Sequence, residues 1–282
     1  MLPSIDWSRP WYATVLPARR QLDLQRDTVI AALNGRARAL DLRNPSGLPL
    51  AFVPQADLPE GVAYEEFIGA TGGVPTRDNL HDFFNALVWL TFPRIKRQLN
   101  ALQAAQIALS GVGKSRGPAR DGATIFDENS ALLVLRDSDA GRALEAALRG
   151  HDWRSAFIAQ REKFAAGGDA EVWLFGHALM EKLVAPRKAI TAHTRVIFAD
   201  DAYFALDDAA RRAWLDARVA QDLVEQGLST ADFTPLPVLG LPGWSDNQDD
   251  DFYNDAAVFR PKRQPSKPPQ QATGTAGEAT HG

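Results

Sequence analysis

The chain of 282 residues contains no cysteine, only two methionines and only five histidines. The absence of cysteine excludes disulfides, iron–sulfur clusters, thiolate zinc sites and cysteine nucleophiles, and it fits a reducing compartment. Any metal ion must therefore be bound by histidine, aspartate or glutamate.

Long apolar runs and a basic leader are also missing. No stretch approaches the roughly 18 apolar residues needed to span a bilayer, and the first residues lack a basic segment followed by an apolar one. The formal net charge of -4 gives no global attraction to nucleic acid or to an anionic membrane. We therefore expect a cytoplasmic protein without a membrane partner.

The organisation of the chain is simple. We find no internal repeat and no long linker, so residues 1–260 are predicted to form a single globular domain. From residue 261 to 282 the composition changes to Pro, Gln, Lys, Ser, Gly and Thr. Such a segment cannot offset its ordering entropy by burial, so a disordered tail is expected there.

The apolar spacing predicts a mainly α (α+β) fold, in which a compact helical domain carries a small β-hairpin and an irregular C-terminal segment. A turn with a short strand is expected over residues 45–54. The hairpin is expected from strands at 124–126 and 131–135 with a turn between them. Helices are predicted over residues 24–33, 78–90, 96–109, 140–148, 153–165, 170–185 and 207–226, with Pro93 kinking or restarting the chain.

The helix predicted over residues 78–90 is apolar in nearly every direction at about 100° per residue and should be buried on most sides. Its polar exceptions are Asp78, Asp82, Asn85 and Trp89, and His81 lies beside them. An unpaired buried polar group costs roughly 1–3 kcal/mol. This polar stripe must therefore meet protein partners, a ligand, a metal ion or water.

A second apolar segment carries His177 and Glu181 at i, i+4 spacing, which places both on one helical face. This geometry lets the two bind one ion, or lets the carboxylate orient the imidazole for proton transfer. The segment lacks the second histidine of H-E-x-x-H, so a zincin is disfavoured. His193 follows closely enough to fold back toward the pair.

These residues suffice for a metal site of nitrogen and oxygen ligands formed by His81, His177, Glu181 and His193. Asp121, Asp127 and Glu128 are further candidate ligands, although residues 127–129 are more typical of a turn. The alternative is a structural network in which buried polar groups simply pair with one another.

A basic segment follows the first of these helices. Between residues 83 and 120 there is no Asp or Glu. The segment predicts an anion site, and the alternative is a solvated helix face paired with acidic residues 249–251. The positive residues in it are Arg94, Lys96, Arg97, Lys114, Arg116 and Arg120.

Four segments together resemble a bacterial family known as a domain of unknown function, DUF3025. They are NLHDFFNALVWLTFPRIKRQLN, RGPARDGATIFDEN, FGHALMEKLVAPRKAITAHT, and LPVLGLPGW with the later FY and VFRP. The resemblance spans residues 3–261 and implies that these segments belong to one unit. It implies no activity.

The leading functional hypothesis is a hydrolase-like site, with or without a divalent metal ion, that acts on an anionic substrate. A phosphorylated compound is one such substrate. His81, Asp82, His177 and Glu181 would be the catalytic residues. The substrate would be bound by Asn85, Lys96, Arg116 and Arg120. The alternative is a non-catalytic module that binds nucleic acid or protein through the basic face, with the His, Asp and Glu groups as a structural core network. A third possibility is an interaction scaffold that uses residues 244–253 as its contact surface.

Overall fold

The computed structural model describes residues 4–110 and 118–262, without the side chains of residues 109, 110 and 118–120. Helices account for 52% and strands for 15% of the described residues, so the fold is α+β. These residues form two separate sheets, and the expected small hairpin understates this strand content.

Single strands are separated by one to three helices along the chain. The helices are α1 (Leu16–Arg20), α2 (Val29–Ala39), α3 (Tyr64–Thr71), α4 (Leu80–Thr91), α5 (Pro93–Ser110), α6 (Pro118–Asn129), α7 (Asp139–Gly150), α8 (His177–Lys182), α9 (Asp201–Phe204), α10 (Asp208–Gln226) and α11 (Asp250–Tyr253). The strands are β1 (Ala51–Pro54), β2 (Gly73–Thr76), β3 (Ser130–Arg136), β4 (Ala170–Leu174), β5 (Thr191–Ala199) and β6 (Phe233–Pro237).

The larger sheet has the strand order β4-β3-β5-β6. Its central strand β3 pairs with β5 in parallel and with β4 in the antiparallel direction, and β5 pairs antiparallel with β6. Residues 131–135 of β3 are completely buried, as expected for a strand covered on both faces. The smaller sheet pairs β1 with β2 in parallel.

Helices α4, α6 and α8 meet beside the central strand. Phe126 of α6 stacks on Phe175 at a centroid distance of 4.9 Å, and Phe92 lies 5.8 Å from Phe175 on the other side. Aromatic contacts of this kind contribute beyond their buried area. They fix the ends of the three helices that carry the site described below.

Several predicted helices are confirmed. Helix α4 begins after Asn79, whose side chain accepts a hydrogen bond from the Asp82 N–H, and it is buried from Asp82 to Thr91. Pro93 starts α5, as Pro does at the first position of a helix. Helix α10 ends at Gln226, and Gly227 follows with φ +69°.

The predicted hairpin is wrong. Residues 124–129 belong to α6, and β3 finds its partners in β4 and β5, far along the chain. The helix predicted over residues 170–185 is also wrong in its first part, because residues 170–174 form β4. The helix predicted over residues 153–165 is instead a π-helical turn, Ser155–Ala159, followed by a 3-10 turn, Arg161–Phe164. For β3 and β4, the local pattern gave no sign of the distant strands with which they pair.

Within residues 4–110 and 118–262, no helix combines the length and apolarity needed to cross a membrane. The predicted tail lies, from residue 263 on, outside the described residues.

Candidate metal centre

His81 is placed by the first turn of α4. The Asn79 side chain accepts from the Asp82 N–H at 2.8 Å and so starts the helix. Asp82 accepts from the backbone N–H of Arg77 at 2.6 Å and from its guanidinium at 2.9 and 3.0 Å. Burial disfavours the Asp82 anion, but these hydrogen bonds outweigh it and keep the pKa of Asp82 below its usual value. Asp82 therefore fixes the entry to α4, and its charge is paired with Arg77.

His177 is the first residue of α8. Just before it, the chain passes very close to the junction of α6 and β3. The N–H groups of Phe175 and Gly176 both donate to the Ser130 carbonyl, at 3.1 and 2.8 Å. A Cβ at position 176 would lie 2.4 Å from the Ser130 nitrogen and 2.6 Å from the Asn129 nitrogen. Only glycine allows this approach, which brings His177 against the last turn of α6.

Three potential ligand atoms converge at this point. The Nε2 atoms of His81 and His177 are 3.1 Å apart. The Oε2 atom of Glu128 lies 3.6 Å from the His177 Nε2 and 4.0 Å from the His81 Nε2. Two ligands that are each about 2.0–2.1 Å from one zinc ion in a tetrahedral arrangement lie about 3.3 Å apart. The three separations are close to those of a set of ligands around one ion.

The other ring nitrogen of each histidine faces a carboxylate. His81 Nδ1 lies 3.0 Å from Glu181 Oε2, and His177 Nδ1 lies 3.8 Å from Asp127 Oδ2. His177 Nδ1 is buried and makes no hydrogen bond to the described residues. Carboxylates in this position orient metal-binding imidazoles and raise their basicity. Glu181 thus lies where an outer-shell partner of a metal centre belongs, whereas the Asp127 carboxylate is near the equivalent position of His177 without a hydrogen bond to it.

A buried network continues from Asp127. Lys96, which is 3% exposed, donates to Asp127 Oδ1 at 2.5 Å and to Asn85 Oδ1 at 2.9 Å. Asn85 in turn donates from Nδ2 to the Tyr64 hydroxyl oxygen at 3.0 Å. Burial disfavours the Asp127 anion, but Lys96 and His177 outweigh this and keep the pKa of Asp127 below its usual value. These contacts satisfy most of the polar stripe on α4.

The protonation states suit metal binding. Burial lowers the pKa of His177 to about 4, so its imidazole is neutral at pH 7 and has a free lone pair to offer. Burial also raises the pKa of Glu128, against the opposing effect of His81. A bound cation would favour the carboxylate form.

A cavity of about 210 Å³ opens beside the three ligand atoms. Arg77 and Lys96 neutralise Asp82 and Asp127, but neither Glu65 nor Glu128 forms an ion pair with any lysine or arginine among the described residues. A bound cation would stabilise the ionised form of these two carboxylates. The lining residues are Tyr64, Glu65, Arg77, His81, Asp82, Asn85, Gln103, Thr124, Asp127, Glu128 and His177.

The residues predicted from the sequence fall into three groups. His81 and His177 are both in the cluster, whereas Glu181, also predicted as a ligand, contacts the Nδ1 atom of His81 and is not among the three clustered ligands. His193 is on β5, where its ring contacts Phe233 at a centroid distance of 6.2 Å, and it is not among the three clustered ligands. Asp82, Asn85 and Lys96 lie beside the cluster, each engaged by a protein partner.

The predicted basic anion site is described only in part. Arg116 lies outside the described residues, and nothing is described of the Arg120 side chain. Lys96 faces Asp127 in the interior rather than solvent.

The turn predicted at residues 127–129 is wrong, since they form the last turn of α6. Asp and Asn favour turns, but here Phe126 is anchored in the core and the helix continues to Asn129. The helical geometry puts Glu128 among the ligands and Asp127 behind His177. Tyr64, Glu65 and Arg77 were not predicted, because nothing local marks α3 or the residue before Asp78 as part of the site.

Comparison with known proteins identifies a family but no activity. Neither a curated protein nor a solved structure matches the chain. A family model does match, over residues 50–263, which is most of the chain and includes every residue of the cluster. The chain therefore belongs to the family described as "Protein of unknown function (DUF3025)".

Proposed function

We propose that this protein is a metal-dependent hydrolase whose single divalent ion is bound by His81, Glu128 and His177. The observation that carries the proposal is the convergence of the three ligand atoms within 4.8 Å of one another. In addition, a carboxylate lies near the Nδ1 atom of each histidine. Two histidines, one carboxylate and an open fourth position are the ligand set of catalytic zinc sites in several hydrolases.

The surrounding residues supply the remaining chemistry. A divalent ion in such a site lowers the pKa of a bound water toward neutrality and polarises the bond to be broken. Glu65 lines the cavity, and burial raises the pKa of its carboxyl, which suits it to take the proton from the attacking water. The water oxygen bonds to the electrophilic atom, the bond to the leaving group breaks, and the leaving group receives the proton.

Tyr64 is the candidate donor to the developing negative charge. Its oxygen already accepts from Asn85, and Asn85 accepts from Lys96. In this series of hydrogen bonds Lys96 donates to Asn85 and Asn85 donates to Tyr64. The phenolic hydrogen of Tyr64 therefore remains to donate into the cavity. A preformed donor of this kind stabilises charge in the transition state.

Anionic substrates, which the sequence favours, would depend on Arg77. Its Nε and Nη2 groups bind Asp82, whereas Nη1 makes no hydrogen bond to the described residues, and the side chain is 56% exposed. Lys96, in contrast, is committed to Asp127. An anionic group would therefore contact the ion and Arg77.

The first test is metal binding by protein purified without a histidine tag. We expect one zinc ion per chain by elemental analysis, with binding abolished in His177→Ala. Glu181→Gln should weaken binding by about 10–100-fold, as loss of an outer-shell partner does. His193→Gln is the matched control, since His193 lies outside the cluster, and it should bind zinc like the wild type.

The second test is catalysis. The zinc-loaded protein is assayed on model carboxylic esters, amides and phosphate esters, and activity should disappear with a chelator and return with zinc. Equal zinc binding by wild type and His177→Ala refutes the metal centre. Zinc binding without hydrolysis of any of these bonds refutes the hydrolase and leaves the centre intact.

A further inference from the structure

A second concave surface lies next to the candidate centre. This aliphatic groove, of about 660 Å³, runs between the N-terminal end of α2 and the segment before α4. Leu24, Val29 and Ile30 form its wall, and each of them is half-buried. Asp27, Thr28, Arg77 and Asp78 complete it.

Arg77 connects the groove with the metal cavity, because it lines both. Its guanidinium is held by Asp82, the residue after the ligand His81, so the connection is fixed to the start of α4. The cavity alone, at about 210 Å³, is smaller than the roughly 300–1,000 Å³ of ordinary ligand pockets. A substrate of the size that ordinary pockets hold would extend beyond the cavity to reach the ion.

We infer that the substrate is an amphipathic acyl compound, an ester or amide whose carbonyl lies at the metal centre and whose aliphatic chain lies in the aliphatic groove. This inference rests on the proposed function. Three aliphatic side chains match an alkyl chain, and the free Nη1 of Arg77 matches a polar group between the chain and the centre. Hydrolysis adds water across the acyl bond and releases a carboxylic acid and an alcohol or amine.

The test uses alkyl hydroxamates, whose head group chelates a metal ion, with chains of two, four, six and eight carbons. Their dissociation constants for the zinc-loaded full chain are measured by calorimetry. A methylene that enters the groove should tighten binding about fourfold. Chain length should therefore improve affinity steeply for wild type.

Variants of the groove identify where the chain binds. Ile30→Gln should flatten the dependence on chain length and leave the two-carbon hydroxamate unaffected. Val29→Thr, which keeps the side-chain shape and replaces one methyl group by a hydroxyl, is a milder second variant with the same direction of change. Val224→Gln is the matched control, because Val224 is 60% exposed on α10 and lies outside the groove. It should retain the wild-type dependence.

The outcomes distinguish failure of the groove from failure of the metal-dependent hydrolase. Tight binding of the two-carbon hydroxamate without any gain from longer chains overturns the groove and leaves the metal-dependent hydrolase standing. A gain that Ile30→Gln and Val29→Thr both retain also overturns the groove. Failure of the zinc-loaded protein to bind any hydroxamate refutes an accessible metal centre, and both proposals with it.

Discussion

The substitution Gly176→Ala tests whether the close approach of α8 to the end of α6 positions the metal centre. The added Cβ would meet the Ser130 and Asn129 nitrogens and the Glu128 oxygen at 2.4, 2.6 and 2.6 Å. Ordinary contact begins near 3.4 Å, so the two segments must separate by about 1 Å. All three obstacles are backbone atoms, and no side-chain rotation can relieve the contact.

The energetic cost has two parts. Overpacking costs about 1–3 kcal/mol, and the hydrogen bonds from Phe175 and Gly176 to the Ser130 carbonyl contribute about 1 kcal/mol each. The free energy of unfolding should therefore fall by about 3–5 kcal/mol. A displacement of about 1 Å also exceeds the roughly 0.2 Å tolerance of metal–ligand distances, so zinc affinity should fall at least tenfold.

Urea denaturation of the metal-free protein and competition with a chromophoric chelator measure the two effects separately. Gly35→Ala is the control, because Gly35 is exposed within α2 and a Cβ there meets nothing within 4 Å. It should stabilise the protein by about 0.5–1 kcal/mol, the ordinary gain for alanine in a helix. Wild-type stability and affinity in Gly176→Ala would refute the argument.

Two further perturbations address buried charges. Lys96→Met removes the partner of the buried Asp127 anion and should lower the free energy of unfolding by about 3–5 kcal/mol. The double variant Lys96→Met, Asp127→Asn should recover much of this lost stability. Equal urea midpoints for the single and double variants would contradict this. Asp216 accepts from the N–H groups of Arg94 and Ile95 at the start of α5, and burial raises its pKa from 3.8 to about 6. Since the folded state then retains a proton that the unfolded state releases, the stability of wild type relative to Asp216→Asn should fall by about 2 kcal/mol as the pH rises from about 4 to 6. Urea midpoints at four pH values measure this difference, and a constant value would exclude the shift.

The parts of the site on α4 could be predicted from the sequence, because the pattern that marks them lies within a single helix. A helix that is apolar all round must bury its polar residues, so His81, Asp82 and Asn85 stood out before any partner was known. The structure supplies those partners from α3, α5 and Arg77. The pair of His177 and Glu181 was likewise visible from its spacing, although their helix is only six residues long.

The remaining features depend on contacts between distant segments. Residues 170–174 form β4 because β3 lies beside them, and a run such as AEVWL does not by itself distinguish a buried strand from a helix. Gly176, in the middle of the helix predicted over residues 170–185, was the local sign of a break. Glu128 was considered both as a ligand and as part of a turn, and only the packing of Phe126 decides between them.

The direct passage from α6 into β3 has a consequence for the motions of the centre. Glu128 is two residues from Ser130, the first residue of a strand whose next five residues are fully buried and paired on both sides. Amide hydrogens of such a strand exchange only through the largest openings of a protein, whereas helix ends and loops open far more often. The side chains of His81 and Glu128 are equally exposed, at 31% and 32%, so the difference lies in the backbone: Glu128 should stay in place beside β3 while His81, at the start of α4, fluctuates locally. An ion would then enter and leave by the His81 side, at a rate set by local opening there rather than by unfolding of the sheet.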